Sequence, residues 1–298
     1  MRDEKMKDVI SNLFRGIAMG SADIIPGVSG GTIALITGIY ARLIGAIRGI
    51  FSMIETGESI SLITGDNARR KKIFKKSDPS LIFPLLTGIF IAVFLLSNLI
   101  VHLVENFEIG TYSFFIGLVV ASSILLAFQS GLDKMYRVLI MAIGIAIGAL
   151  LAGMPATFQF TGWAILFISG AVAITAMILP GISGSLVILM LGQYERVLQA
   201  VKDISILEIL IFISGCIVGL GAFSNLLSRL MRDHEKSTKA FLVGLMLGSL
   251  RYQWDIISTA GIEEPLKAAT SLMFITIGIM VIMLIGYLSR AHHEKQEA

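Results

Sequence analysis

Ser21-Ala-Asp-Ile-Ile-Pro-Gly-Val-Ser-Gly-Gly-Thr32 interrupts an apolar run with one carboxylate, one proline, three glycines and three hydroxyls. Proline removes a backbone donor and ends a helix, and glycine permits the conformations that follow. A second interruption, Leu179-Pro-Gly-Ile-Ser-Gly-Ser185, lies near the middle of the chain. Lipid satisfies no hydrogen bonds, so non-helical backbone at membrane depth survives only where protein or a cavity lines it. Two breaks of one design therefore point to a site.

The surroundings make these membrane breaks. Of 298 residues, 55% are hydrophobic and 15% charged, against about 25% charged in a soluble domain. Every position from 138 to 194 is uncharged, room for more than two spans of about 20 residues. The net charge of +3 is small and the basic residues cluster in loops, which fits membrane orientation rather than nucleic-acid binding. Cys216 is the only cysteine, so disulfides and cysteine-based metal sites are excluded. His102, His234, His292 and His293 fall near membrane edges or in loops, and no metal or cofactor is expected. Arg15 and Asp23 interrupt the apolar stretch that a signal peptide would need.

Residues 1–10 are charged and read as a cytoplasmic segment. The apolar arms on either side of the first break are each too short to cross about 30 Å at 1.5 Å per residue. They read as a re-entrant hairpin over 11–48, the alternative being one kinked helix. Loop 49–79 holds Arg69, Arg70, Lys71, Lys72, Lys75 and Lys76 against four acids, and should be cytoplasmic. A hairpin leaves it on the side of the basic N-terminus; a single crossing does not. Spans follow at 80–104, 111–130 and 136–153, then a second hairpin over 163–201, then spans at 206–229, 240–258 and 267–289. The tail, 291–298, is expected to be cytoplasmic like the N-terminus.

The chain is also internally duplicated. Pro26 and Pro180, Gly38 and Gly192, Tyr40 and Tyr194, and Arg42 and Arg196 are each 154 residues apart. Gly88 and Gly215, Ser97-Asn98 and Ser224-Asn225, Phe114 and Phe241, and Gly117 and Gly244 are 127 apart. The difference is about the size of the basic loop. The expected fold is an all-α integral membrane protein with two tandem copies, 11–153 and 163–290. Each copy holds one re-entrant helical hairpin and three transmembrane helices. Three crossings is an odd number, so the second copy is inverted, an architecture that places substrate sites at the repeat interface of secondary transporters.

Each Pro-Gly leads to a serine, a glycine and a returning helix, whose first amides are unpaired and carry the positive dipole end. With Ser29, Gly30, Gly31 and Thr32 in one copy and Ser183, Gly184 and Ser185 in the other, the tips suit a phosphate or carboxylate. The same hydroxyls also suit plain helix capping. Pro26, Gly27, Pro180 and Gly181 make the breaks. Arg251 lies about 18 Å along a helix from Lys239, deep enough to be functional or simply an ion pair with Asp255. Arg42 and Arg196, with Arg15, sit towards the hairpin bases, positioned to meet a headgroup or to anchor there. Asp23, replaced by Met177 in the second copy, suits a coupling proton or sodium, a helix-end cap or an arginine partner.

Asp23-Ile-Ile-Pro-Gly-Val-Ser-Gly-Gly-Thr32 with Leu179-Pro-Gly-Ile-Ser-Gly-Ser185 resembles the polyprenyl-phosphate (undecaprenyl-phosphate) translocase family, formerly a bacterial domain of unknown function. The resemblance covers nearly the whole chain. It implies a flippase of the bacterial cytoplasmic membrane that returns the undecaprenyl-phosphate carrier from the outer to the inner leaflet for envelope synthesis. Its partners would be polyprenyl phosphate and membrane lipids, with proton or sodium coupling, and not nucleic acid. Two rivals stand. The undecaprenyl-pyrophosphate phosphatases share a Pro-Gly-x-Ser repeat but continue Ser-Arg-Ser, where Gly30 and Gly184 stand here. A small-anion transporter or channel would use the same tips without needing a lipid tail.

Overall fold

The structure is a computed structural model that describes residues 2–24, 29–55, 77–131, 133–154 and 162–297. Pro26 and Gly27, most of the basic loop and the turn after Met154 lie outside the described residues. Everything described is helical or a short connection. Two half-helices follow α1 (Arg2–Ile24), namely α2 (Gly30–Ile36) and α3 (Tyr40–Glu55). Next come α4 (Pro79–Ile91), a π-helical turn at Ala92–Leu96, α5 (Ser97–Asn106), α6 (Glu108–Ser130) and α7 (Met135–Ala152). The second half repeats the order as α8 (Trp163–Ile178), α9 (Gly184–Met190), α10 (Tyr194–Lys202), α11 (Ile206–Asp233), α12 (Glu235–Thr259) and α13 (Pro265–Glu297).

Among the described residues five stretches are long and apolar enough to cross a bilayer: Pro79–Asn106, Glu108–Phe128, Met135–Ala152, Ile206–Asp233 and Pro265–Leu284. The chain is a multi-pass helical membrane protein. The sixth expected span, 240–258, is a helix of sufficient length that fails on apolarity, because Lys239, Arg251 and Asp255 lie along it. Its core residues Leu242, Val243, Leu245, Met246 and Ile257 are buried. Protein rather than lipid surrounds that face. Two boundaries also move. Helix α1 starts at Arg2 rather than near Ser11, and α3 carries on to Glu55, so residues 49–55 are packed helix and not loop.

The chain forms two compact units, one of residues 1–97 with 154–238, the other of 98–153 with 239–298. In the first, α1 packs on α4, α8 on α11, and α3 on both α4 and α11. Glycines set these crossings. A Cβ at Gly16 would strike the Leu85 carbonyl, and one at Gly88 the Leu13 carbonyl. In the other pair Gly170 faces the Phe212 carbonyl and Gly215 the Phe167 carbonyl. Each of these partners is displaced by the same 154 or 127 that relates the glycines. In the second unit α6 packs on α13 with Gly117 against Ile275 and Gly278 against Phe114, while Gly144 and Gly148 meet Gly244 and Gly248.

The half-helices end identically. Gly38 has φ +74° and Gly192 φ +66°. The Ile39 N–H reaches the Ala34 carbonyl at 3.0 Å and the Gly38 N–H the Leu35 carbonyl at 3.2 Å. Gln193 and Gly192 bond Ile188 and Leu189 at 3.0 and 2.9 Å. This is the Schellman closure, which places glycine in the left-handed position and satisfies the last carbonyls. Between α2 and α3 it bends the chain by 119°. A Cβ at Gly38 would touch nothing but would strain the backbone, whereas Gly45 is helical with equally open space. Gly38→Ala should therefore lower stability by about 1–2 kcal/mol, while Gly45→Ala should raise it by about 0.5–1 kcal/mol. Thermal unfolding of the two variants in one detergent reads the opposite signs.

Candidate functional site

The two interrupted segments touch. Ser29 is 1% exposed and caps α2, accepting from the Gly31 N–H at 3.1 Å. Its hydroxyl also lies 3.2 Å from the Met177 and Leu179 carbonyls at the end of α8. In return the Gly181 N–H donates to Thr32 Oγ1 at 2.9 Å. The backbone exposed by the second break is thus satisfied by hydroxyls of the first. Cβ atoms fit poorly here: at Gly31 one would strike the Ile178 carbonyl, and at Gly30 the Asp23 carboxylate.

The tips differ in their electrostatics. Asp23 Oδ1 accepts from the Gly30 N–H at 2.7 Å, so a carboxylate from the outgoing helix occupies the amide end of α2. Met177 stands at the matching place, and Ser183 makes no side-chain cap to α9. Ser183 and Ser185 instead share a hydrogen bond of 2.8 Å. One tip is closed by its own anion; the other presents a hydroxyl pair.

The arginines divide as well. Arg42 is clamped by Asp78 (2.5 and 3.1 Å) and Asp8 (3.1 and 3.3 Å). Asp8 lies fifteen residues before Asp23 on α1, about 22 Å by helix rise, so Arg42 sits at the base of α1 and not at the break. Arg196 pairs with Glu208 at 2.8 Å, donates to the Gly162 carbonyl at 3.0 Å, and lies 5.0 Å from the Trp163 ring centre. Gly162 is 154 residues beyond Asp8, so the two bases are fastened at matching points. Arg251 is half exposed and sits against the end of α7, 3.3 Å from the Ala149 carbonyl and 3.8 Å from Asp255. Sequence reading missed Asp8, Asp78 and Glu208, and the repeat spacing could not have found them, because it matches them to Gly162, Ser205 and Leu81. Arg48 of α3 donates to Ser228 at 3.2 Å, and Phe51 packs at Gly221, so α3 runs antiparallel to α11. Ser228 and Glu208 are twenty residues apart on α11, about 30 Å.

Among the described residues no three His, Cys, Asp or Glu side chains converge on a possible metal position. What converges is a set of hydroxyls, amides and one carboxylate inside a bundle of apolar helices. A family described as undecaprenyl phosphate translocase-like matches residues 19–267, and the chain belongs to that family. It is 38% identical over 270 residues to the polyprenyl-phosphate transporter of Vibrio cholerae serotype O1 (strain ATCC 39315 / El Tor Inaba N16961), covering 84% of this chain and 79% of the relative. A polyprenyl-phosphate transporter of Staphylococcus aureus (strain NCTC 8325 / PS 47) is 31% identical over 298 residues, 92% of this chain and 95% of the relative. No solved structure matches. Membership in a translocase family makes the chain a transport protein rather than an enzyme.

Two outcomes follow from the geometry. Ser29→Ala, which loses a cap and the bonds to two carbonyls, should cost about 1–2 kcal/mol. Thr32→Val, which strands the buried Gly181 N–H, should cost about 1–3 kcal/mol; both are measured by thermal unfolding. At the base, the hydrogen bond from Arg42 holds the Asp78 carboxyl below its ordinary range. A depressed carboxyl contributes stability above its unfolded pKa of about 4 and loses it as pH falls through the folded value. The stability difference between wild type and Asp78→Asn should therefore be constant near neutrality and shrink below about pH 4. A difference that stays flat down to pH 3 would count against the clamp.

Proposed function

We propose that this protein carries undecaprenyl or another polyprenyl phosphate across the bacterial cytoplasmic membrane, from the outer to the inner leaflet, for reuse in envelope synthesis. The observation that carries the reading is the mutual hydrogen bonding of the two breaks through Ser29, Thr32 and Gly181. The names of the bacterial relatives support the substrate. A phosphate monoester carries one to two charges, and a lone charge in a dry, low-dielectric interior costs tens of kcal/mol. The protein replaces water around the headgroup at the junction of the tips, while the isoprenoid tail stays in lipid.

On this reading the chain is an inverted repeat, one hairpin admitted from the cytoplasm and the other from outside, both termini being cytoplasmic. The positions of the two bases support it. Antiparallel packing sets Arg42 towards the far end of α11 from Glu208, and about 30 Å is the thickness of the hydrocarbon core. Phosphate is met by Ser183 and Ser185 with the amides of Gly184 and Ser185, and at the first tip by Ser29, Gly30, Gly31 and Thr32. The Asp23 carboxylate already holds the Gly30 N–H, so it competes with phosphate. A proton or sodium ion on Asp23 releases that amide, which couples loading to an ion gradient.

Vesicles carrying labelled polyprenyl phosphate in one leaflet test the proposal. Purified protein should speed its transfer and leave the corresponding alcohol unaffected. Asp23→Asn should still move the lipid but lose dependence on the pH or sodium gradient. Conductance of inorganic phosphate without lipid transfer would replace the reading with an ion channel.

A further inference from the structure

Arg42 and Arg196, at the hairpin bases, are neutralised by carboxylates, and Arg15 is not. Arg42 is held by two aspartates and Arg196 by Glu208. Arg15, seven residues tipward of Asp8 on α1, pairs with no carboxylate among the described residues. Its one hydrogen-bond partner is the side-chain oxygen of Asn12 at 2.8 Å. Asn12 is 0% exposed and its amide nitrogen is committed to the Ser80 carbonyl at 3.2 Å, so the side-chain oxygen is aimed and cannot flip away. Asp8, Asn12 and Arg15 fall at i, i+4 and i+7, one stripe of the helix. This stripe runs from the clamp at the base towards Met19 and Ala22, buried beside the tip.

A half-buried guanidinium with an oriented fork, whose neighbouring carboxylate Asp8 is already bonded to Arg42, suits an incoming phosphate, because arginine binds phosphate oxygens in pairs. Intramembrane cations of this kind are costly unless a partner arrives. The place is also one-sided. The matching residue of the second copy is Ser169, fully buried with no hydrogen-bond partner for its hydroxyl.

We propose that Arg15 is a phosphate ligand of the first hairpin, binding the headgroup of an isoprenoid monophosphate between the Arg42 clamp and the tip. The proposal rests on the transport reading above and deepens it. By helix rise Arg15 stands about 10 Å from Asp8 and about 12 Å from Asp23. It therefore offers a station between base and tip, with Asn12 fixing which edge of the guanidinium is presented.

The test uses the full chain in nanodiscs, with farnesyl phosphate as probe, farnesol as the uncharged control and inorganic phosphate as competitor. Wild type should bind farnesyl phosphate, and a large excess of inorganic phosphate should displace it only weakly if the tail contributes. Arg15→Gln should weaken farnesyl phosphate about 10- to 100-fold, as expected for loss of a charge-assisted pair, and leave farnesol binding unchanged. Arg15→Lys, which keeps charge without the fork, should fall between the two. Equal binding by Arg15→Gln and wild type, or equal loss for phosphate and alcohol, overturns the assignment. Should Arg15→Gln not give monodisperse protein, Arg15→Lys decides by the same comparison. Absence of farnesyl phosphate binding by wild type sinks the transport reading itself; a shortfall confined to the variants sinks only the role of Arg15. Displacement by inorganic phosphate at concentrations like those of the lipid shows an anion site indifferent to the tail, and also overturns the proposal.

Discussion

Backbone without a helix has to find hydrogen bonds inside the protein when lipid lies on the other side. Here the second interruption is completed by the first. Thr32 accepts from the amide of Gly181, and Ser29 reaches the carbonyls that α8 leaves open at Met177 and Leu179. The amides of the first are met by its own Asp23 and Ser29, so it is the second break that leans on the first. That dependence draws α1, α2, α8 and α9 into one unit, although they lie in separate halves of the sequence.

Close approach follows from the same requirement. Helices that carry short broken arms have to pack backbone against backbone, and Gly16, Gly88, Gly170 and Gly215 leave no room for a Cβ at those crossings. Small residues at interfaces are the usual means of association where apolar burial cannot discriminate protein from lipid. The ends are then fixed by charge. Arg42 with Asp8 and Asp78 fastens the base of one broken segment, and Arg196 with Glu208 and Gly162 that of the other.

Much of this was legible beforehand. The spacing of 154 between the two Pro-Gly segments identifies related breaks, and it carries over to Gly38 and Gly192, whose positive φ values end α2 and α9. The 119° bend at the first of these was not legible. A single glycine in an apolar run reads equally as helix packing, and only the closing hydrogen bonds distinguish the two. Helix α12 also departs from the pattern, because apolarity reports contact with lipid and this helix is shielded by protein. The start of α1 escaped for a related reason, since charged residues outside an apolar stretch stay helical when an ion pair such as Arg42–Asp8 orders them, while the end of α3 is held by Phe51 packing at Gly221. For the arginines, spacing related Arg42 to Arg196 but could not show that acids occupy them.

What the duplication does not copy is as informative as what it does. The frame repeats at the glycine crossings, the helix closures and the base fasteners. Arg15 and Asp23 do not repeat, since Ser169 and Met177 hold the matching positions. A pair of identical half-sites would bind an anion equally well from either direction and would leave movement to the lipid gradient alone. With one cation and one carboxylate confined to a single arm, the two halves differ in charge. That difference sits on a single helix, eight residues apart, and it adds to the contrast between Ser29, which caps its helix, and Ser183, which pairs with Ser185 instead.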